Sequence, residues 1–229
     1  GGCMLKKGII ILLFFIVSFG GGYFLNDSKI DKIIKYKLGL NSKELDNYYY
    51  KLLAIQERQD LQVVPGSTIM IGDSITQGLI YPRFVNYGIG SDTTYGVLNR
   101  IKKYKSLNDA KKIILMIGIN DLKRRSDAEI LENYLEILDK LPSSKLIVFS
   151  VLPVNEEVVS KNPQMNNARI KKINQRIAEL CSQKKIKFID LSEFYLDENG
   201  FLDKNYHVGD GIHLNDEGYK IWIKYLNEI

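Results

Sequence analysis

The sequence predicts a doubly wound α/β domain over residues 62–229, preceded by a hydrophobic helix and a polar connector. Three observations predict it. Short apolar runs, rich in β-branched and aromatic residues, alternate with amphipathic stretches. The runs hold few charges, as strands buried on both faces of a parallel sheet do. The length, 229 residues, suits one ordinary domain with an appendage.

The appendage comes first. Gly8–Leu25 is eighteen residues without a charge, behind Lys6 and Lys7. As a helix it would be about 27 Å long, enough to cross a hydrocarbon core. Residues 1–25 therefore read as an uncleaved membrane anchor. A cleaved secretory signal, with Gly20 and Gly22 as small residues for cleavage, is the second reading, and an ordinary buried helix the third. Lys6 and Lys7 favour a cytoplasmic amino terminus against Lys29, Lys32, Lys35 and Lys37, which places the main domain outside the cytoplasm, tethered or secreted. Met4 reads as the natural start, with Gly1–Cys3 ahead of it as added residues. Residues 26–61 read as a polar connector, a stalk or a helix packed on the domain, in preference to a partner-binding coiled coil. Within it Leu45, Tyr48, Tyr49, Leu52, Leu53 and Ile55 outline an amphipathic helix behind the capping pair Asn41 and Glu44.

The expected strands are Thr68–Ile71, Phe84–Ile89, Ile113–Ile117, Leu146–Val151 and Lys187–Leu191. Helices are expected over Asp92–Tyr104, Asp127–Leu141 and Asn167–Lys185, the second opened by a capping box of Ser126 and Glu129. A last helix, Asn215–Ile229, would dock through Tyr219 and Trp222. In such folds ligands bind beyond the carboxyl ends of the strands, so chemistry is sought there.

Composition excludes several functions. Hydrophobic residues make up 45% and charged residues 26%, which rules out wholesale disorder. The net charge of +5 divides into +3 over residues 1–60 and +2 over the rest, too little on the main domain for a nucleic-acid binder. The basic runs Arg100-Ile-Lys-Lys103 and Arg169-Ile-Lys-Lys172 read as solvated helix faces. Two Cys and two His, without CxxC or HExxH, predict neither a metal site nor a cofactor. Cys181 reads as a small core residue, and His207, without a carboxylate partner nearby, as a surface or loop residue.

Three strand ends carry chemistry. The first ends in Gly72-Asp73-Ser74, where Ser74 is either a nucleophile or a helix cap. The second ends in Gly88-Ile-Gly90-Ser91-Asp92-Thr93-Thr94, a turn offering backbone N–H groups. The third ends in Gly118-Ile-Asn120-Asp121, where Asn120 is either an oxyanion donor or a turn former. Near the C-terminus Asp210-Gly-Ile-His213 spaces a carboxylate within one turn of a histidine. That spacing lets Asp210 either hold Nδ1 while Nε2 faces a serine, or satisfy a buried histidine for structure alone. A G-x-S-x-G elbow is missing, which argues against an α/β-hydrolase.

These four blocks, in this order from about residue 67 to 220, resemble the SGNH hydrolases, or GDSL esterases/lipases. The resemblance implies a flavodoxin-like three-layer α/β/α sandwich with a five-stranded parallel sheet in the order 2-1-3-4-5. It implies a Ser74–His213–Asp210 triad. It also implies an oxyanion hole from the Ser74 N–H, a block II N–H assigned to Ser91, and the Asn120 amide, supported by Asp73, Gly90 and Gly118. Ser91 stands where the family usually has Gly; it serves as donor unless the position needs a positive φ, with Gly90 as the residue to absorb strain.

The expected function is hydrolysis of carboxylic esters through an acyl-enzyme, on a small-molecule or glycan substrate. Short O-acetyl groups on surface or environmental polysaccharides come first. A lysophospholipase or thioesterase acting on lipid is the alternative, then an O-acyltransferase, and last a catalytically silent anchored binding module. Membrane contact is expected through the N-terminal helix, with the two basic runs as a second place where anionic polymer or lipid headgroups could be met, and the sequence sets no oligomeric state.

Overall fold

A computed structural model describes residues 45–229. The candidate anchor at 1–25 and the first part of the connector lie outside the described residues. Among the described residues no helix is long and apolar enough to cross a membrane.

The chain from Asn47 to Ile229 forms one compact unit. It opens with α1 (Asn47–Asp60), followed by β1 (Thr68–Gly72), α2 (Ser74–Gly78), β2 (Val85–Gly88) and α3 (Thr94–Arg100). Then come β3 (Lys112–Met116), a 3₁₀ turn (Ile119–Lys123), α4 (Asp127–Lys140) and β4 (Leu146–Phe149). The chain closes with α5 (Asn167–Gln183), β5 (Lys187–Ile189) and α6 (Asp216–Leu226). All five strands pair in parallel in the order β2-β1-β3-β4-β5, as the family resemblance implies.

The strands are shorter than the apolar runs that announce them. Ile89, Ile117 and Val151 are buried but lie past the ladder, on loops leaving the sheet. Likewise α3 stops at Arg100 and tightens into a 3₁₀ turn over Ile101–Lys103. The caps follow the chemistry of their residues. Ser126 and Glu129 make the reciprocal capping box on α4, and Asn166 and Asn215 cap α5 and α6.

Alternation along the strands divides the core into two faces. Met70, Ile114, Met116, Ile147 and Phe149 point to the side where α6 packs Trp222 and Leu226. Phe149 and Trp222 meet edge to face at 5.9 Å between ring centroids. Ile69, Ile71, Ile113, Leu115 and Val148 alternate to the opposite side and are buried, as are Val97, Tyr134, Ile137 and Ile177 on α3, α4 and α5. Cys181 is also buried there, with its thiol pushed up to about 11 by desolvation, as befits a core residue.

The compact unit begins earlier than residue 62, because α1 belongs to it. Tyr49 Oη donates to the Gly96 carbonyl at 2.8 Å, and Gln56 Nε2 to the Gly88 carbonyl at 3.0 Å. Asp60 Oδ1 accepts from Tyr87 Oη at 2.9 Å, and Asp60 Oδ2 from the Lys105 N–H at 2.6 Å. These polar groups are buried, so the helix is part of the core's hydrogen-bond accounting and not a stalk.

Candidate active site

Register brings three loops to one edge. Gly72 at the end of β1 lies opposite Gly88 of β2 and Met116 of β3, so the chain leaves all three strands at one level. β1 is also where the strand order reverses, between β2 and β3, the usual place for a ligand crevice in such sheets.

Ser74 is the first residue of α2, but it does not cap it. Asp73 does, its Oδ1 accepting the Ile75 N–H at 3.0 Å. The Ser74 hydroxyl is therefore free to meet His213, and Oγ lies 2.8 Å from Nε2. His213 Nδ1 in turn lies 2.5 Å from Asp210 Oδ2. The other carboxylate oxygen, Oδ1, accepts the N–H groups of Ile212 and His213, both at 2.9 Å. Burial pushes the Asp210 carboxyl up, but the hydrogen bonds from the His213 ring and the two backbone N–H groups outweigh it and hold the group below its ordinary range. The His213 and Asp210 side chains are each 43% exposed, so the pair sits at an open rim.

The donors expected around the serine have the following surroundings. Among the described residues the N–H groups of Ser74 and Ser91 have no other acceptor. Asn120 donates one amide hydrogen to the Asp92 carbonyl at 3.0 Å, which orients the amide and leaves its second N–H unused. Gly118 takes φ +131°, and a Cβ there would lie 2.9 Å from Val151, so the turn that presents Asn120 needs glycine. Ser91 itself takes φ +62°, whereas Gly90 keeps an ordinary φ. The position thus does take the positive φ on which a serine was expected to fail; Ser91 adopts it and bears the strain with its N–H still without an acceptor among the described residues, and the expectation that Gly90 absorbs the strain is corrected. Gly90 matters through closeness instead: a Cβ there would meet the Gln77 amide at 3.0 Å and the Tyr48 ring at 3.3 Å.

Beneath the three loops lies a layer of buried charge that sequence reasoning missed. Arg100, expected on a solvated face, is fully buried. Its Nε donates to Asp92 Oδ2 at 2.8 Å, Nη1 to the Tyr87 carbonyl at 2.7 Å, and Nη2 to the Gly72 carbonyl at 2.9 Å. One guanidinium thus ties the ends of β1 and β2 to the turn that carries Ser91. Asp121, also buried, accepts the Thr94 N–H at 2.9 Å and the Thr94 hydroxyl at 2.6 Å, joining the Asn120 turn to the head of α3. Arg169 is part-buried and ties the start of α5 to Asp127 at 2.7 Å. The lysines of both runs, Lys102, Lys103, Lys171 and Lys172, are exposed as expected.

His207 lies in a loop, as one of its two readings had it, but not at the surface. It is 6% exposed, and its Nδ1 accepts backbone N–H groups of the loop that holds Asp210. Neither feature could be read from spacing, because the partners of Arg100 and His207 are largely backbone groups brought close by the fold.

A serine hydroxyl on an imidazole, the imidazole on a carboxylate, and unused N–H donors on neighbouring loops form a machinery for acyl transfer. Residues 70–221 match the GDSL-like Lipase/Acylhydrolase family. The chain belongs to that family. It is similar to the N-acylneuraminate cytidylyltransferase of Streptococcus agalactiae serotype III (strain NEM316), 32% identical over 156 residues, which cover 66% of this chain and 35% of that protein. It thus spans about a third of the length of that relative. It is also 28% identical over 151 residues to the platelet-activating factor acetylhydrolase IB subunit alpha2 of Homo sapiens, covering 63% of each. Among solved structures, one from Streptococcus pneumonia, described as a candidate platelet activating factor, aligns with a TM-score of 0.72 at 27% identity. That alignment covers 84% of this chain and 97% of the other.

Proposed function

We propose that the chain is a serine esterase that removes short acyl groups, O-acetyl foremost, from glycans at or beyond the cell surface. The observation that carries the reading is the run of hydrogen bonds from Ser74 Oγ through His213 to Asp210. In the proposed cycle His213 Nε2 takes the proton as Ser74 Oγ attacks the ester carbonyl. The N–H groups of Ser74 and Ser91 and the Asn120 amide receive the oxyanion. His213 then protonates the leaving alcohol, and water, deprotonated by the same imidazole, releases the acyl group. Asp210, kept ionised, holds the imidazole with Nε2 toward the serine.

The substrate class is supported by the open rim: a bulky or polymeric alcohol can reach a His213 that is nearly half exposed. It is supported too by the names of the relatives, one an acetylhydrolase and one acting on an acylated sugar acid. The first of these is named for platelet-activating factor, which keeps a lipid-directed esterase as the second reading.

The test is turnover of p-nitrophenyl esters from acetyl to palmitoyl by the full chain, with Ser74→Ala and His213→Ala beside it. Each variant is expected to lose about 10³-fold or more in kcat, and Asn120→Ala about 10²–10³-fold. A maximum at acetyl or butyryl supports the glycan reading, and one at octanoyl or longer moves the substrate to lipid. Wild-type turnover by Ser74→Ala would sink the assignment.

A further inference from the structure

We propose that His207 is a positioning residue of this reaction, its ring holding the turn that aims Asp210 and His213. The proposal rests on the reading of Ser74, His213 and Asp210 as the triad. His207 and Leu214 face each other in an antiparallel bridge, and the Val208 N–H donates to the His213 carbonyl at 2.9 Å. Inside the loop so closed, His207 Nδ1 accepts two backbone N–H groups, from Gly209 at 2.9 Å and Gly211 at 3.1 Å. These donors stand on either side of Asp210.

Gly209 and Gly211 take φ +102° and +76°, so no helix or strand ladder holds the peptides between them. The imidazole nitrogen is the acceptor on which both converge. From outside, the Asn155 N–H donates to the Gly211 carbonyl at 2.9 Å and anchors the next peptide along the turn. Asp210 is thus held on both flanks, while its Oδ1 takes the N–H groups of Ile212 and His213 and its Oδ2 is left for the imidazole.

The ring's other nitrogen strengthens the argument. With Nδ1 accepting from two donors, the proton resides on Nε2. That nitrogen is buried and, among the described residues, without a partner. Burying an unpaired N–H is unfavourable, and an apolar side chain would fill the same space without that loss. The net contribution of the imidazole therefore lies in its acceptor. His207 reaches no reacting atom; its effect on catalysis passes through Asp210 and His213.

Three variants of the full chain separate this from simple packing. His207→Leu removes the acceptor. His207→Asn puts a carbonyl oxygen close to the position of Nδ1, and His207→Gln puts one at the reach of Nε2, past the two N–H groups. Leu and Gln are expected to lower kcat by about 10²-fold, the scale of a small misplacement of catalytic groups, with KM little changed. Both are also expected to lose the downfield proton resonance of the His213–Asp210 hydrogen bond. Asn is expected to keep the resonance and to recover most of kcat. Wild-type kcat and resonance in Leu or Gln would overturn the proposal, as would Asn behaving like Leu. If His207→Leu does not fold, the Asn and Gln pair decides by the same two readouts. Ser74→Ala serves as control: turnover surviving there sinks the triad reading, while the resonance still reports whether His207 holds Asp210 against His213.

Discussion

Ser91 carries an L side chain in the left-handed region, at φ +62°, on the turn that follows β2. Outside glycine such a backbone costs about 1–2 kcal/mol, part of which returns when the unfolded chain gains glycine's freedom. Ser91→Gly is therefore expected to raise stability by about 0.5–1 kcal/mol. Its kcat/KM should stay near wild type, because the N–H expected to serve the oxyanion is backbone. Thermal denaturation and ester turnover check both halves, and a lower melting temperature would contradict the strain argument. Arg100 is the opposite case, a charge whose surroundings fit it closely. Burial alone would push the guanidinium down, but the Asp92 carboxylate more than offsets this and keeps it charged. Every nitrogen of the guanidinium has an acceptor, as a buried charge requires.

Among the elements, α1 distinguishes the structure most from its sequence. Removing residues up to 61 would strand the Gly88 carbonyl and expose Tyr87 and Tyr104, which stack at 4.4 Å. Each buried polar group left unpaired costs about 1–3 kcal/mol. A chain starting at 62 should therefore be less stable than one starting at 47 by about 3 kcal/mol or more, measured by urea unfolding. Equal midpoints would mean that α1 is only an external strap. The strands and the capping box of Ser126 and Glu129 were legible because their signals are local: apolar runs, and a hydroxyl three residues ahead of a carboxylate. The four chemical blocks were legible because each lies at a strand end or a tight turn. Whether α1 is a stalk or packs on the domain was not legible, because what ties it to β2 and α3 is the Tyr49 hydroxyl with Gln56 and Asp60, polar groups that an apolar pattern does not weigh. Arg100 was misjudged because two lysines follow it, and a charge run reads as a wet surface unless its acceptors are known.

At the scale of the whole molecule, the reactive edge stands on three buried carboxylates, Asp73, Asp92 and Asp121, with Arg100 and Arg125 among them. Burial pushes Asp73 up to about 7; the Ile75 N–H and Arg100 oppose this, and Asp92 and Asp121 add to it. Its folded value is above the unfolded one, so the native state binds more protons between about pH 4 and 7. The stability tied to protonated Asp73 is then full below about pH 4 and is lost as pH rises through about 7. Asp73→Asn can keep the cap on Ile75 without that titration. Its stability relative to wild type should grow between pH 4.5 and 8, by on the order of a few kcal/mol. Urea unfolding at the two pH values checks this, and a gap that stays constant would rule it out.

The reach of Arg100 has one more consequence. Its partners lie on β1, on β2 and on the turn beyond β2, so none of these pieces can swing away alone without stripping a buried charge of its acceptors. Partial opening around the nucleophile would leave that charge buried with fewer acceptors, so opening there is expected to be coupled to loss of the whole edge. Heat or denaturant is then expected to remove activity and fold together, so that loss of turnover and loss of structure follow one curve.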